Sequence, residues 1–523
     1  MAWGLDTPVG ERPPKGHFHL AGRTFLRKKW WKEPQMRKLY FYILALILTN
    51  TANGYDNSMM NGLQSLGYWQ DYFDHPKGSL LGLFNCVMSV GALCGLVLLP
   101  FALDKFGRKP ALVFGSMFML VGIALQTASV NFGMFVGARL LLGFGDIIVI
   151  VTAPLLIAEI APSQDRAILV TLNGATYHSG AFIAAWVTYG TLEIPSDWSW
   201  RAPSLIQAVF TIFMLCIVYW IPESPRYHIA HDQPEKALKM LSHYHAGGDE
   251  HDEVVQLEMA EITSALALER VHKNSFSFLD FTKTRGNRKR LIIILSVGVF
   301  SQWSGNGLVS YYLNLVLNSI GITDSRRQLV INGGMTTYGL GLNLFFSFFV
   351  DRWGRRPIYL LGTIGMLVAF TIWTILSARY EISPGASLGN GVLAMIFIYN
   401  LAYNSKSGLL ASYTTEILPY HMRAKGFTLM EYGLYISLFF NQYVNPIAME
   451  NIHWRYYIFY CCFLVLEIVV IYFFYPETRY LPLEEVAKVF DGDDVAQMAN
   501  VELEKHGEKG FASGAEVRVE QVA

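Results

Sequence analysis

Charge is scarce in this chain. Of its 523 residues only 16% are charged, whereas 52% are hydrophobic and 14% aromatic; a soluble domain carries about 25% charged residues. The net charge is zero, which singles out no nucleic-acid or acidic partner, and none is expected. Cysteine is rare too. Cys86, Cys94, Cys216, Cys461 and Cys462 all fall inside apolar runs. Their spacing matches neither a metal site nor a disulfide framework, and they read as small buried hydrophobes. No nucleophile–base set is present, so an enzyme is not expected, and neither metal nor cofactor is called for. A cleavable signal pattern is also missing. Arg23, Arg27, Lys28, Lys29 and Lys32, with Trp30 and Trp31 among them, precede the first apolar run and read as an inner-leaflet flank.

Long apolar runs, by contrast, are abundant. Runs near the ~20 residues needed to cross a bilayer recur at 40–63, 81–103, 111–129, 132–156, 168–191 and 203–221. They resume at 291–314, 328–350, 357–378, 391–415, 427–447 and 455–475. These are numbered helices 1 to 12 below. The expected architecture is an all-α membrane protein of twelve transmembrane helices in two six-helix halves. Its expected divisions are an N-terminal segment (1–38), a first half (39–221), a helical linker (222–290), a second half (291–475) and a tail (476–523). Lys105, Arg108 and Lys109 follow helix 2, Arg166 follows helix 4, Arg352, Arg355 and Arg356 follow helix 8, and Arg423 and Lys425 follow helix 10. Cytoplasmic loops are rich in Lys and Arg, so both termini and the linker are expected in the cytoplasm.

Three charged motifs occur twice. Asp104, Gly107, Arg108 and Pro110 return as Asp351, Gly354, Arg355 and Pro357. Glu159, Pro162 and Arg166 return as Glu416, Pro419 and Arg423. Pro222, Glu223 and Arg226 return as Pro476, Glu477 and Arg479. The offsets are 247, 257 and 254 residues. A fixed period of this kind means one ancestral half used twice, and many secondary transporters are built so. Both signs repeat, whereas topology needs only Lys and Arg. The set therefore reads as a gating latch at the inner face, with Asp104, Arg108, Glu159, Arg166, Glu223 and Arg226 in one half. Asp351, Arg355, Glu416, Arg423 and Glu477 form its counterpart in the other.

Together these motifs, with Arg139, resemble the sugar porter family of the major facilitator superfamily over about 37–491. The stretches 180–191, 198–207, 302–308 and 440–448 are similar to fungal lactose and cellodextrin permeases. The resemblance implies alternating access, with helices 1, 4, 7 and 10 lining a central cavity.

Charges without a repeat need their own reason, because an ionisable group inside a bilayer is costly and functional by default. Asp56 in helix 1 and Arg139 in helix 4 lie ~10–12 Å below the outer surface at 1.5 Å per residue. In the family that this chain resembles, the matching Asp and Arg form the proton-coupling pair. Asp146 lies two turns from Arg139 on the same face. Lys406 in helix 10 reaches a similar depth, so Asp146 and Lys406 are expected to meet across the cavity or to touch an anionic substrate. His178 also lies at mid-depth, and Glu431 is expected near the inner mouth.

Sugar recognition needs amide donors and acceptors with aromatic faces. Gln302 and Asn306 share one face of helix 7, and Asn332, Asn404 and Asn441 lie in helices 8, 10 and 11. Gln302 matches a sugar-binding glutamine of the family. Tyr311 and Tyr312 fall where the family places an extracellular gate. The hexose-binding pattern is altered at Ser301 and Gly307, Gly174 replaces a helix-5 glutamine and Ala411 a helix-10 tryptophan. Fewer bulky contacts imply a roomier pocket. The expected function is proton-coupled import of a disaccharide such as lactose or cellobiose, by a monomer in the plasma membrane. The alternatives are a sugar acid, a polyol or a hexose as cargo, or a sugar sensor that does not transport.

Overall fold

The computed structural model describes residues 16–20, 23–273, 278–347 and 353–479, with Val486 and Phe490. Twelve bundle helices follow in order. Helices 1 to 5 are Pro34–Leu63, Gly78–Phe106, Arg108–Thr127, Phe132–Ile160 and Arg166–Thr191. Helix 6 is broken at Gln207 into Trp198–Ile206 and Ala208–Val218. Helix 7 runs over Arg285–Trp303 and continues as Asn306–Ser310 and Leu313–Ser319. Helices 8 and 9 are Ser325–Ser347 and Arg355–Ile382. Helix 10 breaks at Gly408 into Ala386–Ser407 and Leu409–Ile417. Helices 11 and 12 are Tyr420–Ile452 and Tyr456–Phe474.

Local signals start these helices. Pro34 occupies the first turn of helix 1, where its missing N–H costs nothing. Asn131 caps helix 4 by accepting from the Met134 N–H at 2.8 Å. Helix 11 begins seven residues before its apolar run and ends five after it. Hydropathy reports the part that meets lipid, whereas the helix continues through the interface.

Helices 2, 3, 4, 6, 9 and 10, and the stretch from Lys425 to Phe474, are apolar and long enough to span a membrane by composition alone. Among the described residues, helices 1, 5, 7 and 8 are less apolar than that. Asn53, Asp56 and Asn61, Asn173, Gln302 and Asn332 are buried within them. A helix that turns polar residues toward a partner helix loses hydropathy without leaving the membrane. Around the outside, large apolar side chains such as Val97, Phe101, Ile375 and Phe473 are exposed, which is the face expected toward lipid. Cys94, Cys216 and Cys462 are exposed there too, and of the five cysteines only Cys86 is fully buried. Reading them all as buried is corrected: an apolar run has a lipid face as well as a packed one.

Close helix contacts rest on glycine. A Cβ at Gly54 would lie 1.9 Å from the Tyr177 carbonyl oxygen, and one at Gly180 would lie 2.0 Å from that of Thr51. Helices 1 and 5 thereby meet backbone to backbone.

The two halves are tied away from the terminal face, the face where helix 1 starts and helix 12 ends. Asn61 Nδ2 donates to Asn332 Oδ1 at 3.0 Å, and Gln64 Nε2 donates to the Tyr311 carbonyl at 2.9 Å. Ser89 Oγ donates to Gln442 Oε1 at 2.8 Å. Toward the terminal face, facing residues such as Asn50, His178, Asn400 and Glu431 keep part of their surface exposed. The cleft between the halves therefore opens at the terminal face.

That face carries a layer that the all-helical expectation did not contain. Strands His17–Leu20 and Arg23–Leu26 form an antiparallel hairpin. The chain after it docks on the loop between helices 4 and 5. Gln164 Oε1 accepts from the Lys28 N–H and Gln164 Nε2 donates to its carbonyl, both at 2.9 Å. Lys28 Nζ reaches Asp252 Oδ2 at 3.0 Å. Helices Pro225–Ala230, Pro234–His245, Glu253–Lys273 and Asp280–Lys283 lie between the halves in sequence.

Candidate functional site

Three ionisable side chains share the interior of the first half. Asp56 and Arg139 are 1% exposed and Asp146 is 4% exposed. Arg139 lies within electrostatic range of Asp56, Asp146, Tyr311 and Tyr312. Neither carboxylate oxygen of Asp56 has a hydrogen-bond partner among the described residues, and Arg139 Nε and Nη1 have none either. The two charges act through space in this conformation. Such a carboxylate, held near a cation yet not bonded to it, is suited to gaining and losing a proton.

Asp146 does not meet Lys406. Lys406 Nζ donates instead to Glu467 of helix 12, and the two side chains are 5% and 0% exposed. The expected pair across the cavity is corrected. Lys406 already has a neutralising partner within its own half, which removes the ground for an anionic cargo. Glu467 was legible: it is the only acid in the 19-residue helix Tyr456–Phe474.

The amide residues divide into two groups. Gln302 Oε1, Asn332 Nδ2 and Asn404 Oδ1 are buried without partners among the described residues. Each is an amide atom with hydrogen-bonding capacity unspent on the described residues. Asn306, half-buried, accepts from Ser310 Oγ at 2.9 Å. Asn441 is committed elsewhere. Its Nδ2 donates to the Gln302 carbonyl at 2.8 Å, and its Oδ1 accepts from Asn445 Nδ2 at 2.8 Å and Tyr460 Oη at 3.0 Å. From helix 11 it holds helices 7 and 12 in place. A Cβ at Gly307 would fall 2.4 Å from Asn441 Nδ2, so this asparagine fills the space that a side chain at 307 would occupy. Gly174 has open space beside it.

The helix 7 break has a definite cause. Gly305 adopts φ +97°, and a Cβ there would lie 2.5 Å from the Phe370 ring. Both facts demand glycine. Tyr399 Oη donates to the Ser304 carbonyl at 2.9 Å and Tyr403 Oη to that of Ser301 at 3.1 Å. Helix 10 thus sets the stretch carrying Gln302. Tyr177, Tyr311 and Tyr403 lie within electrostatic range of one another across the halves, and Tyr435 joins them beside Asp146 and Glu431. Of these tyrosines only Tyr311 stood out in the sequence, because an aromatic residue on a helix reads as packing until its neighbours are known. Tyr311 and Tyr312 are buried. Tyr312 Oη donates to the Gln442 carbonyl, on the closed side of the cleft. His178 is partly exposed, its ring edge-on to Tyr177 at 5.6 Å.

The repeated charges form two copies of one network. The Arg108 guanidinium donates to both oxygens of Glu159 at 3.0 Å, while Glu223 accepts the Arg108 and Lys109 backbone N–H groups at 3.1 and 3.0 Å. Arg355 reaches Glu416 at 2.9 Å, and Glu477 accepts the Arg355 and Arg356 N–H groups at 3.0 and 3.1 Å. None of these bonds joins the first half to the second. Arg166 donates to Ser163 Oγ at 3.3 Å and Arg423 to the Leu418 carbonyl at 3.1 Å. Asp104 and Arg226 have contacts of their own, and Asp351 lies outside the described residues.

Beneath the first network lies a buried pair. His245 Nδ1 is 2.7 Å from Glu258 Oε2 and its Nε2 is 3.1 Å from the Ile160 carbonyl. Both ring nitrogens lie within hydrogen-bond distance of oxygen atoms. Burial acts to raise the Glu258 carboxyl, but His245, Ser163 and Arg166 together outweigh it and hold it below the ordinary glutamate value.

Residues 42–490 match the family described as Sugar (and other) transporter. The chain is 28% identical over 504 residues to "Sugar transporter STL1" of Saccharomyces cerevisiae, covering 92% of this chain and 87% of that protein. It is 30% identical over 468 residues to "MFS-type transporter oryC" of Aspergillus oryzae, covering 86% and 85%. Its fold resembles the inward-open xylose transporter XylE of E. coli with a TM-score of 0.71, at 21% identity, over 87% of this chain and 100% of that one. The chain is a multi-pass membrane protein with the twelve-helix major facilitator fold, and it belongs to the sugar transporter family.

Proposed function

We propose that this protein imports a sugar together with a proton by alternating access. The terminal face is cytoplasmic in this reading, the membrane is the plasma membrane, and one chain is the working unit. The observation that carries it is the Asp56–Arg139–Asp146 cluster: a carboxylate buried in the bundle, near a cation, with both oxygens free of hydrogen bonds. A relative in fold is described as a proton:xylose symporter, in keeping with this role. Proton loss to the terminal side from Asp56 strengthens its pull on Arg139, and that change differs between the open and closed cleft.

Gln302, Asn332 and Asn404 present the free amide atoms, with Tyr403 and Tyr435 as ring faces. The open space beside Gly174 favours a disaccharide such as lactose or cellobiose. A hexose is the second reading, because one curated relative is described as a high-affinity glucose transporter. Uptake of labelled cellobiose, lactose and glucose into vesicles holding the purified protein, with and without an inward proton gradient, tests both. Gradient-driven accumulation is expected. Uptake that never exceeds equilibration would overturn coupling, and binding with no uptake would make the protein a sensor.

A further inference from the structure

Two charges remain outside that mechanism. Lys406 and Glu467 are buried in the second half, and Glu467 Oε1 also accepts from Thr363 Oγ1 at 3.3 Å. Its Oε2 is buried with no donor among the described residues, as is the Tyr359 hydroxyl. Both charges line a cavity of about 50 Å³ between helices 7, 9, 10 and 12, with Ser301, Tyr403 and Tyr475. A cavity of that size has room for water, and the polar atoms among its mostly apolar lining supply partners.

The pair has no counterpart in the first half. At the offsets of the neighbouring motifs, Val149 stands opposite Lys406 and Phe213 opposite Glu467. The duplicated scaffold is therefore built once without these charges. Burying two ions costs desolvation that their attraction only partly offsets, so packing alone does not account for them.

We propose that Glu467, paired with Lys406, is a second proton-binding site of this transporter, separate from Asp56. A hydronium ion in the cavity gives its proton to Glu467 Oε2. An O–H bond forms there, water is left behind, and the Lys406 ammonium keeps its own proton. The pair passes from net zero to net plus one. The titratable groups facing Glu467 are Tyr359 on helix 9, Tyr399, Tyr403 and Lys406 on helix 10, and Tyr475 just beyond helix 12. Helix 7 presents Val297, Phe300 and Ser301 to the same cavity.

The position gives this charge a consequence. Lys406 lies one turn beyond Tyr403, which holds the Ser301 carbonyl beside Gln302. It also lies two residues before the Gly408 break, after which the segment Leu409–Ile417 carries Glu416. The net charge that the Lys406–Glu467 pair gains sits between the sugar-reading amide and the half's own charge network.

Infrared difference spectra of the full-length protein in lipid nanodiscs, acidified from neutral pH in H2O and in D2O, read protonated carboxyl groups directly. The expected result is an acid-induced, deuterium-shifted carboxylic C=O band that Asp56→Asn leaves in place and Glu467→Gln removes. The double variant Lys406→Met with Glu467→Leu replaces the ion pair with apolar groups of similar volume, keeps the fold, and must also lack the band. A band that persists in either Glu467 variant overturns the proposal, as does the loss of every such band in Asp56→Asn. Concentrative uptake surviving in Asp56→Asn would instead overturn the role of Asp56 and leave this band untouched.

Discussion

The Arg108 guanidinium lies on the Glu159 carboxylate through two hydrogen bonds of 3.0 Å, with 16% and 6% of the two side chains exposed. Arg355 and Glu416 repeat the contact in the second half. Because each pair stays inside its half, the motif ties the start of helix 3 to the end of helix 4, and the start of helix 9 to the end of helix 10. Alternating access needs two bodies that move whole. The latch expected at the inner face is, in this conformation, a brace within each half.

Removing one partner of this brace should cost more than removing both. Arg108→Ala leaves Glu159 poorly solvated and should destabilise the protein by about 2–4 kcal/mol, whereas Arg108→Ala with Glu159→Ala should recover part of that loss. Thermal unfolding of the purified variants in one detergent measures it. Additive losses would show that the two side chains act independently.

Asp56→Asn should abolish accumulation against a gradient while sparing exchange of labelled substrate across vesicles. An amide cannot give up a proton, yet it fills the same volume. The two assays on one preparation separate coupling from binding. Unchanged concentrative uptake would remove Asp56 from the mechanism.

The linker pair carries a pH dependence with a definite sign. Glu258 is held below its ordinary value in the folded protein. Its contribution is therefore present at and above the ordinary glutamate range and is lost as pH falls through the lower folded value. Glu258→Gln should speed amide hydrogen exchange in Glu253–Lys273 at neutral pH. After correction for intrinsic exchange, the difference from the natural protein should shrink as the medium is acidified below the ordinary glutamate range. A difference that grows on acidification would reverse the assignment.

Gly305→Ala meets both a positive φ and the Phe370 ring. The substitution should cost upwards of about 1 kcal/mol and misplace Gln302, three residues away, so that substrate affinity falls. Radioligand binding and thermal unfolding on the same sample check it. Wild-type affinity together with wild-type stability would show that the break tolerates a side chain.

Much of this molecule follows from its sequence alone. Twelve helices, two halves and the duplicated charge motifs depend on local composition and on period, and neither needs a neighbour to be read. Asp56 and Arg139 stood out for the same reason, since position along an apolar run is a length, and both side chains are buried. Partnership did not follow. Lys406 bonds to Glu467 rather than Asp146, Asn441 is spent on Gln302 and Tyr460, and each arginine braces its own half. Depth places a side chain on one axis, but which helix it faces depends on rotation and packing across the bundle. That is set by backbone approaches such as Gly54 on Tyr177. The docking of the N-terminal segment through Gln164 depends likewise on distant segments meeting in space, and only the tertiary structure decides that.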